Sequence, residues 1–222
     1  MNKKNELKKK SSMQKRLIQH HLPLAVIAMI SVGMTYQTVD SKDVIFRISM
    51  ATAYPALAFL SATLMVSPVH TLLNRTNPVS TDFRRDLGFW AAMVSLVHVV
   101  FGLNVHMRGK MWLLFLNNNM DFPFIRIDLF GAANFSGLIA TLVLAMLLAT
   151  SNDWAINKFG WKKWKRLQRW NYGLFILVVL HGVLYVIIEK RLSTYIYIFS
   201  TLVAMVVITR LAGFFHGKRN RV

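Results

Sequence analysis

Two histidines, His98 and His181, lie deep within long apolar stretches of the sequence. Ionisable side chains at that depth are costly, and they usually face the interior of a helix bundle, where they serve a function. His98 follows Arg85 by 13 residues and His181 follows Trp170 by 11. At ~1.5 Å per residue, both therefore lie about 16–20 Å from the same membrane edge. This equal depth favours one b-type haem, held on its two faces by neutral imidazoles from separate helices.

Small residues accompany His98 along one face of its predicted helix. Gly88, Ala91, Ser95, His98 and Gly102 follow one another at spacings of 3, 4, 3 and 4, which is one stripe of a helix. We interpret Ala91, Ser95 and Gly102 as a haem-facing stripe that leaves room for a large group. The alternative is that small residues simply allow transmembrane helices to pack closely.

The other five histidines carry weaker signals. His70 is expected to be a snorkelling or helix-terminal residue, with a role as a ligand left open. His106 is expected to face water, with a contact to the haem edge or an acceptor left open. His20, His21 and His216 occupy ordinary interfacial positions. Carboxylates are expected only in loops, so no pair is placed for acid–base chemistry, and no His–Glu cluster has zinc spacing. With no cysteine, thiolate metal sites and iron–sulfur ligation are excluded.

The composition is that of a membrane protein. Of 222 residues, 55% are hydrophobic and 16% are charged, whereas soluble domains carry roughly 25% charged residues. The formal net charge is +18. Because the basic residues form short runs between apolar stretches, they indicate contact with anionic lipid headgroups and not with nucleic acid.

Six apolar stretches each have about the 20 residues that a helix needs to cross a bilayer. The sequence therefore predicts an all-α, polytopic membrane protein, a six-transmembrane-helix bundle. The predicted spans are 22–38, 48–74, 86–105, 129–149, 170–188 and 194–215.

The basic residues predict the orientation of the bundle. Twenty of the 27 Lys and Arg residues lie before the first span, near or after the end of the last, or in the connections of that same side. The side richer in Lys and Arg is cytoplasmic, so both termini are expected inside. Residues 1–21 are then a basic cytoplasmic arm, 22–215 the transmembrane domain, and 216–222 a basic cytoplasmic tail. The longest external connection, 106–128, is expected to contain a helix lying in the membrane interface.

The segments around both histidines carry a family resemblance. RRDLGFWAAMVSLVHVV (84–100) and LQRWNYGLFILVVLH (167–181) resemble the third and fifth helices of the ferric-reductase-like transmembrane domain superfamily. Within it, they are most similar to the MsrQ/YedZ-type haem-binding subunits of methionine sulfoxide reductase systems. FLSATLMVSPV (59–69) resembles the second helix and ATSNDWAINKFGWKKWKRL (149–167) the basic loop before the fifth. The resemblance spans about residues 48–190.

This resemblance implies a cytochrome b that relays electrons. The wider superfamily stacks two haems between two histidines in each of these helices. His98 and His181 match the ligands of the outer haem, whereas Gln168 and Arg85, or its neighbour Arg84, stand where the inner pair would be. Gln is a poor ligand for haem iron, and Arg stays protonated. One haem is therefore expected, and the inner site is interpreted as lost.

The function predicted is an electron-transfer subunit of an oxidoreductase system, multi-pass in the bacterial plasma membrane. It would take electrons from quinol or a flavin reductase and pass them to an extracytoplasmic acceptor or reductase subunit. A bound quinone or flavin is a further possible cofactor. Two alternatives stay open: a stand-alone reductase of ferric complexes, flavins or oxygen, and a haem-free scaffold or permease that keeps the fold.

Overall fold

Six long helices make up the protein in the computed structural model, which describes residues 14–74, 81–117 and 124–219. Two short helices, α5 and α6, lie between the fourth and fifth long ones. All six long helices are apolar enough to cross a membrane, which confirms the predicted all-α six-helix bundle. The helices are α1 Leu22–Thr38, α2 Val44–Leu72, α3 Thr81–Val105, α4 Leu129–Ala149, α5 Asp153–Phe159, α6 Trp161–Gln168, α7 Trp170–Glu189 and α8 Ser193–Arg219.

Helix α2 lies at the centre of the bundle. It packs against α1, α3 and α8, while α4 pairs with α7 and also contacts α3. The carboxylate of Asp43 caps the first turn of α2 by accepting hydrogen bonds from the backbone N–H groups of Ile45 (2.8 Å) and Phe46 (3.3 Å). Pro55 and Pro68 lie inside α2, as proline does in transmembrane helices whose neighbours compensate for the missing hydrogen bond.

The outer surface of the bundle is apolar. Leu142, Ile176 and Ile208, on three different helices, are 63%, 66% and 64% exposed. Exposed patches of this kind are incompatible with water but suit contact with lipid tails. The chain is therefore a multi-pass membrane protein.

The first span is longer than the sequence predicted. Its helix reaches back to Gln14, so it spans 25 residues and begins eight residues before the predicted 22–38. Residues 1–13 of the predicted basic arm lie outside the described residues. A π-helical turn, Leu17–His21, precedes α1 directly, and turns of this type often occur at functional positions.

A buried carboxylate holds this turn against α3. Asp86 is only 1% exposed and accepts hydrogen bonds from Arg16 Nε (3.0 Å) and His20 Nδ1 (2.8 Å). His21 Nε2 lies 3.2 Å from the same carboxylate. The expectation that carboxylates occur only in loops is therefore wrong, and His20 and His21 are more than interfacial residues. The pairing was missed because it joins residues 65–70 positions apart.

Replacing Asp86 with Asn should loosen the start of α1. Three cationic or potentially cationic groups then lose their common carboxylate, at a cost of about 1.5–3 kcal/mol in the free energy of unfolding. Hydrogen exchange should accelerate in residues 14–21, and the melting temperature in detergent should fall. Asp153→Asn is the control, because Asp153 pairs with Arg85 at an exposed site (82% exposed) where ion pairs contribute little. Equal effects of the two variants would contradict this assignment.

In its described parts, the connection before α4 contains only short 3-10 turns, and the predicted interfacial helix is reduced to the single turn Met111–Leu114. The connection forms two short 3-10 turns, Met107–Gly109 and Met111–Leu114, followed by an isolated bridge between Leu116 and Ile125. Positive φ angles of 57° and 79° at the two ends of the first turn interrupt any continuous helix. Residues 118–123 lie outside the described residues.

Asp128 anchors this connection to α4. Its carboxylate accepts from the Gly131 N–H (2.7 Å) and from Arg126 Nε (3.0 Å). Burial alone would raise the pKa of Asp128, but these hydrogen bonds outweigh it and lower the pKa below its ordinary value. Arg126 Nη1 also donates to the Leu113 carbonyl (3.0 Å), so the 3-10 turns are tied to the start of α4.

Candidate functional site

The two deep histidines meet inside the bundle. The rings of His98 on α3 and His181 on α7 have centroids 6.3 Å apart, and their planes cross at 80°. Bonds from imidazole nitrogen to a transition metal are about 2.0–2.1 Å long. The separation of the rings therefore suits two imidazoles ligating one metal ion between them.

Both imidazoles are oriented by backbone carbonyls. His98 Nδ1 lies 2.9 Å from the Ser49 carbonyl oxygen, and His181 Nδ1 lies 2.8 Å from that of Ala133. A carbonyl oxygen only accepts, so each Nδ1 carries the hydrogen and a neutral ring keeps its lone pair on Nε2. Hydrogen bonds of this kind fix the tautomer and ring orientation of metal-ligating histidines. Neither acceptor was predicted, because backbone groups on neighbouring helices leave no signal in the sequence.

A cavity surrounds the rings of His98 and His181, and we call it the histidine cavity. Small residues form part of its wall. Ala91, Ser95 and Gly102 all line it, so the predicted stripe faces the two histidines, whereas Gly88 does not line it. Gly137 on α4 lies against the other ring: a Cβ there would be 2.7 Å from His181 Nδ1. Nothing in the residues around Gly137 indicates this contact.

The donors and the apolar walls of this cavity fit a b-type haem. Two imidazoles from separate helices supply one nitrogen each, which is the ligation expected of such a group. The open volume is about 220 Å³, less than the 300–1,000 Å³ of most ligand pockets. Binding a porphyrin must therefore widen the cavity.

A polar network closes one end of the histidine cavity, at the end of the bundle opposite the termini. Tyr185 lies between His181 and His106. Its ring centroid is 5.0 Å from that of His181 and 6.0 Å from that of His106. His106 Nε2 is 3.4 Å from Glu189, and Glu189 pairs with Arg191 at 2.9 Å. His106, predicted to face water, thus lines the cavity. His181, Tyr185 and Glu189 follow one another at a spacing of four, which places them on one face of a helix, so this group could have been predicted from the sequence.

Comparison with known proteins identifies the family of this chain. The family model described as "Ferric reductase like transmembrane component" matches residues 49–179, more than half of the chain. The chain belongs to the ferric reductase-like transmembrane family. The match runs from within α2 to the middle of α7, includes His98 and stops two residues before His181.

Curated relatives of this ferric reductase-like protein carry a more specific name. The protein-methionine-sulfoxide reductase heme-binding subunit MsrQ of Yersinia pseudotuberculosis serotype O:1b (strain IP 31758) is 29% identical over 174 residues. That alignment covers 77% of this chain and 76% of the relative. The MsrQ of Yersinia pestis (strain Pestoides F) is also 29% identical over 174 residues, with 77% and 75% covered. The resemblance seen in the sequence is thereby confirmed.

A second cavity of this ferric reductase-like protein lies toward the end of the bundle where α1 begins and α8 ends. Its open volume is about 430 Å³, and we call it the arginine cavity after Arg84 and Arg85 in its wall. Gln168 lines it too, so the structure brings Arg85 and Gln168 to one cavity. Arg85 Nη1 donates to Asp153 (2.8 Å), and Gln168 Nε2 is 3.5 Å from Thr150 Oγ1. Gly88, from the predicted stripe, opens onto this second cavity.

The arginine cavity has no imidazole among the described residues that line it. His70, considered in the sequence as a helix-terminal residue, lies near the end of α2 outside both cavity linings, and its Nδ1 is buried without a partner in the described part of the chain. No other described histidine fills the role, so this cavity offers no ligand to haem iron.

Proposed function

We propose that this protein binds one haem b between His98 and His181 and acts as an electron-transfer subunit of a membrane oxidoreductase system. The observation that carries the proposal is the pair of facing imidazoles whose Nδ1 atoms both donate to carbonyls. The curated relatives, named as heme-binding subunits of a methionine sulfoxide reductase, support the same cofactor and the same type of partner.

The residues of the histidine cavity have separate roles in this proposal. His98 and His181 are the axial ligands, and the carbonyls of Ser49 and Ala133 hold the two rings in the ligating tautomer. Gly102 and the other small residues of the stripe make room for the flat ring and exclude water. When bound, the haem supplies a carrier of one electron at a time.

The proposed direction of electron flow follows from the predicted orientation. With both termini in the cytoplasm, the histidine cavity lies in the extracytoplasmic half of the membrane. An electron from a cytosolic flavin reductase must then cross most of the bilayer, whereas a lipid-soluble quinol reaches the cavity laterally. We therefore favour quinol as donor: one quinol becomes one quinone, releasing two protons and two electrons, which leave one at a time. An extracytoplasmic reductase subunit that accepts two electrons completes the balance.

Stopped-flow spectroscopy of the haem-loaded protein in nanodiscs tests this function. A short-chain quinol should convert the haem absorption to the reduced spectrum, and a soluble extracytoplasmic acceptor should reverse it. NADH with a flavin reductase is the parallel arm, which separates the two donors. A haem that neither donor reduces would contradict the electron-transfer role. Reduction of ferric complexes or oxygen at full rate by the chain alone would favour the stand-alone reductase instead.

A further inference from the structure

The arginine cavity has the size of a ligand site and an unbalanced charge. Its volume of about 430 Å³ falls within the 300–1,000 Å³ of typical ligand pockets. Among the described residues that line it, none is Asp or Glu. Four are cationic: Arg84, Arg85, Lys165 and Arg169.

Two guanidinium groups, one in the wall of this cavity and one beside it, have no counter-charge among the described residues. Arg84 lines the cavity, and Arg210 lies 4.3 Å over the ring of Tyr172, which also lines it. Neither arginine has an ion pair or a hydrogen bond to a residue in the described ranges, and Nη2 of Arg210 is buried without a partner. The two charges also repel each other. Arg85 differs, because Asp153 neutralises it.

Unpaired cations of this kind are costly in a membrane protein. Removing a charge from water costs several kcal/mol unless an opposite charge or hydrogen bonds replace the solvent. A second guanidinium nearby adds repulsion. An anion close to both groups would offset the lost solvation and the repulsion, and no described residue supplies one to either group.

We propose that the arginine cavity binds the phosphate group of an anionic phospholipid. Guanidinium groups bind phosphate through paired N–H donors, and basic pockets between transmembrane helices hold lipid headgroups. Arg84 lies in the first turn of α3 and Arg210 nine residues before the end of α8, so both lie toward the same end of the bundle. Apolar side chains of α4, including Leu144, Leu147 and Leu148, line the same cavity and suit an acyl chain.

The charge of the cavity distinguishes this ligand from two others. A quinol is neutral, so it leaves the arginines unpaired, and its oxidation needs a proton acceptor that the carboxylate-free and imidazole-free lining lacks. A second haem needs an axial ligand, which neither Gln168 nor Arg85 provides. The phosphate site is independent of the haem, so haem-free protein should show it equally.

Native mass spectrometry of the full chain after mild delipidation tests the site. We expect one phosphatidylglycerol to remain bound per chain from nanodiscs of phosphatidylcholine with phosphatidylglycerol. Arg84→Gln and Arg210→Gln should each weaken this retention about tenfold or more, the effect of losing one charge-assisted hydrogen bond. Lys163→Gln is the matched control, because Lys163 is an exposed cation of α6 that does not line the cavity, and it should retain the lipid.

Melting temperatures keep the test decisive if a variant folds poorly. In phosphatidylcholine alone, Arg84→Gln should melt no lower than the wild type, because it removes an uncompensated repulsion. Arg210→Gln also loses the contact with Tyr172, so its melting temperature is compared only between the two lipid compositions. Phosphatidylglycerol should raise the melting temperature of the wild type but not of the variants. If inorganic phosphate gives the same rise in phosphatidylcholine discs, the phosphate site stands and its source is soluble. Equal retention by wild type and variants, an Arg84→Gln variant that melts lower in phosphatidylcholine, or a second haem or a quinone in the cavity would overturn the proposal.

Discussion

Replacing either His98 or His181 with Ala is expected to remove almost all bound haem. Each imidazole supplies one of the two axial bonds. Among the described residues, the only other histidine that lines the histidine cavity is His106, which lies at one end of it. Loss of a group that only orients a metal ligand weakens binding by about 10–100-fold, so loss of the ligand itself should cost more. The measurement is the Soret absorbance per mole of purified protein, together with the loss of the low-spin spectrum.

His70→Gln is the control for both variants. His70 lies at the far end of α2 and lines neither cavity, so its haem content should match the wild type. Added imidazole should restore part of the low-spin spectrum to His98→Ala, because the vacated position then accepts a soluble ligand. Unchanged haem content in His98→Ala or His181→Ala would show that the ligands lie elsewhere.

Replacing Gly137 with Ala should also remove much of the haem, although this residue is not a ligand. The new methyl group would lie 2.7 Å from Nδ1 and 2.9 Å from Cε1 of His181. The ring has to move and lose its hydrogen bond to the Ala133 carbonyl, which should reduce haem affinity about 10–100-fold. Haem titration of the apoprotein, read by the Soret band, gives this ratio.

Gly33→Ala separates this clash from a general effect of the substitution. Gly33 lies in α1, and a Cβ there meets no atom within 4 Å. That variant should bind haem as the wild type does and gain slightly in helix stability. If Gly137→Ala bound haem with wild-type affinity while still folding, His181 would not need its present orientation.

The six spans and the pairing of the two histidines were accessible from the sequence. Apolar length alone marks a membrane helix, because lipid offers no partner to an exposed backbone. Depth along a helix scales with residue number, so the equal heights of His98 and His181 could be counted. The stripe of Ala91, Ser95 and Gly102 was readable for the same reason, since side chains three and four apart share a face.

Long-range side-chain and backbone contacts could not be read in this way. The cage of Arg16, His20 and His21 around Asp86 joins two helices whose relative rotation the sequence does not specify. The carbonyls that orient the haem-ligand candidates belong to Ser49 and Ala133, whose side chains suggest nothing of the role.

The structure of the connection at 106–128 differs from its prediction for another reason. The run MWLLFL has the composition of an interfacial helix, but it is too short to nucleate one against the local backbone geometry. Met107 takes a positive φ of 57°, a conformation that residue types with a large side chain rarely adopt and that propensity reasoning does not predict.

The haem content and spin state of the wild-type protein decide the central claim most directly. Pyridine haemochrome analysis with electron paramagnetic resonance should find one haem b per chain, low-spin, with the signature of two imidazole ligands. A protein that folds and inserts without haem, or one that holds two haems per chain, would contradict the account.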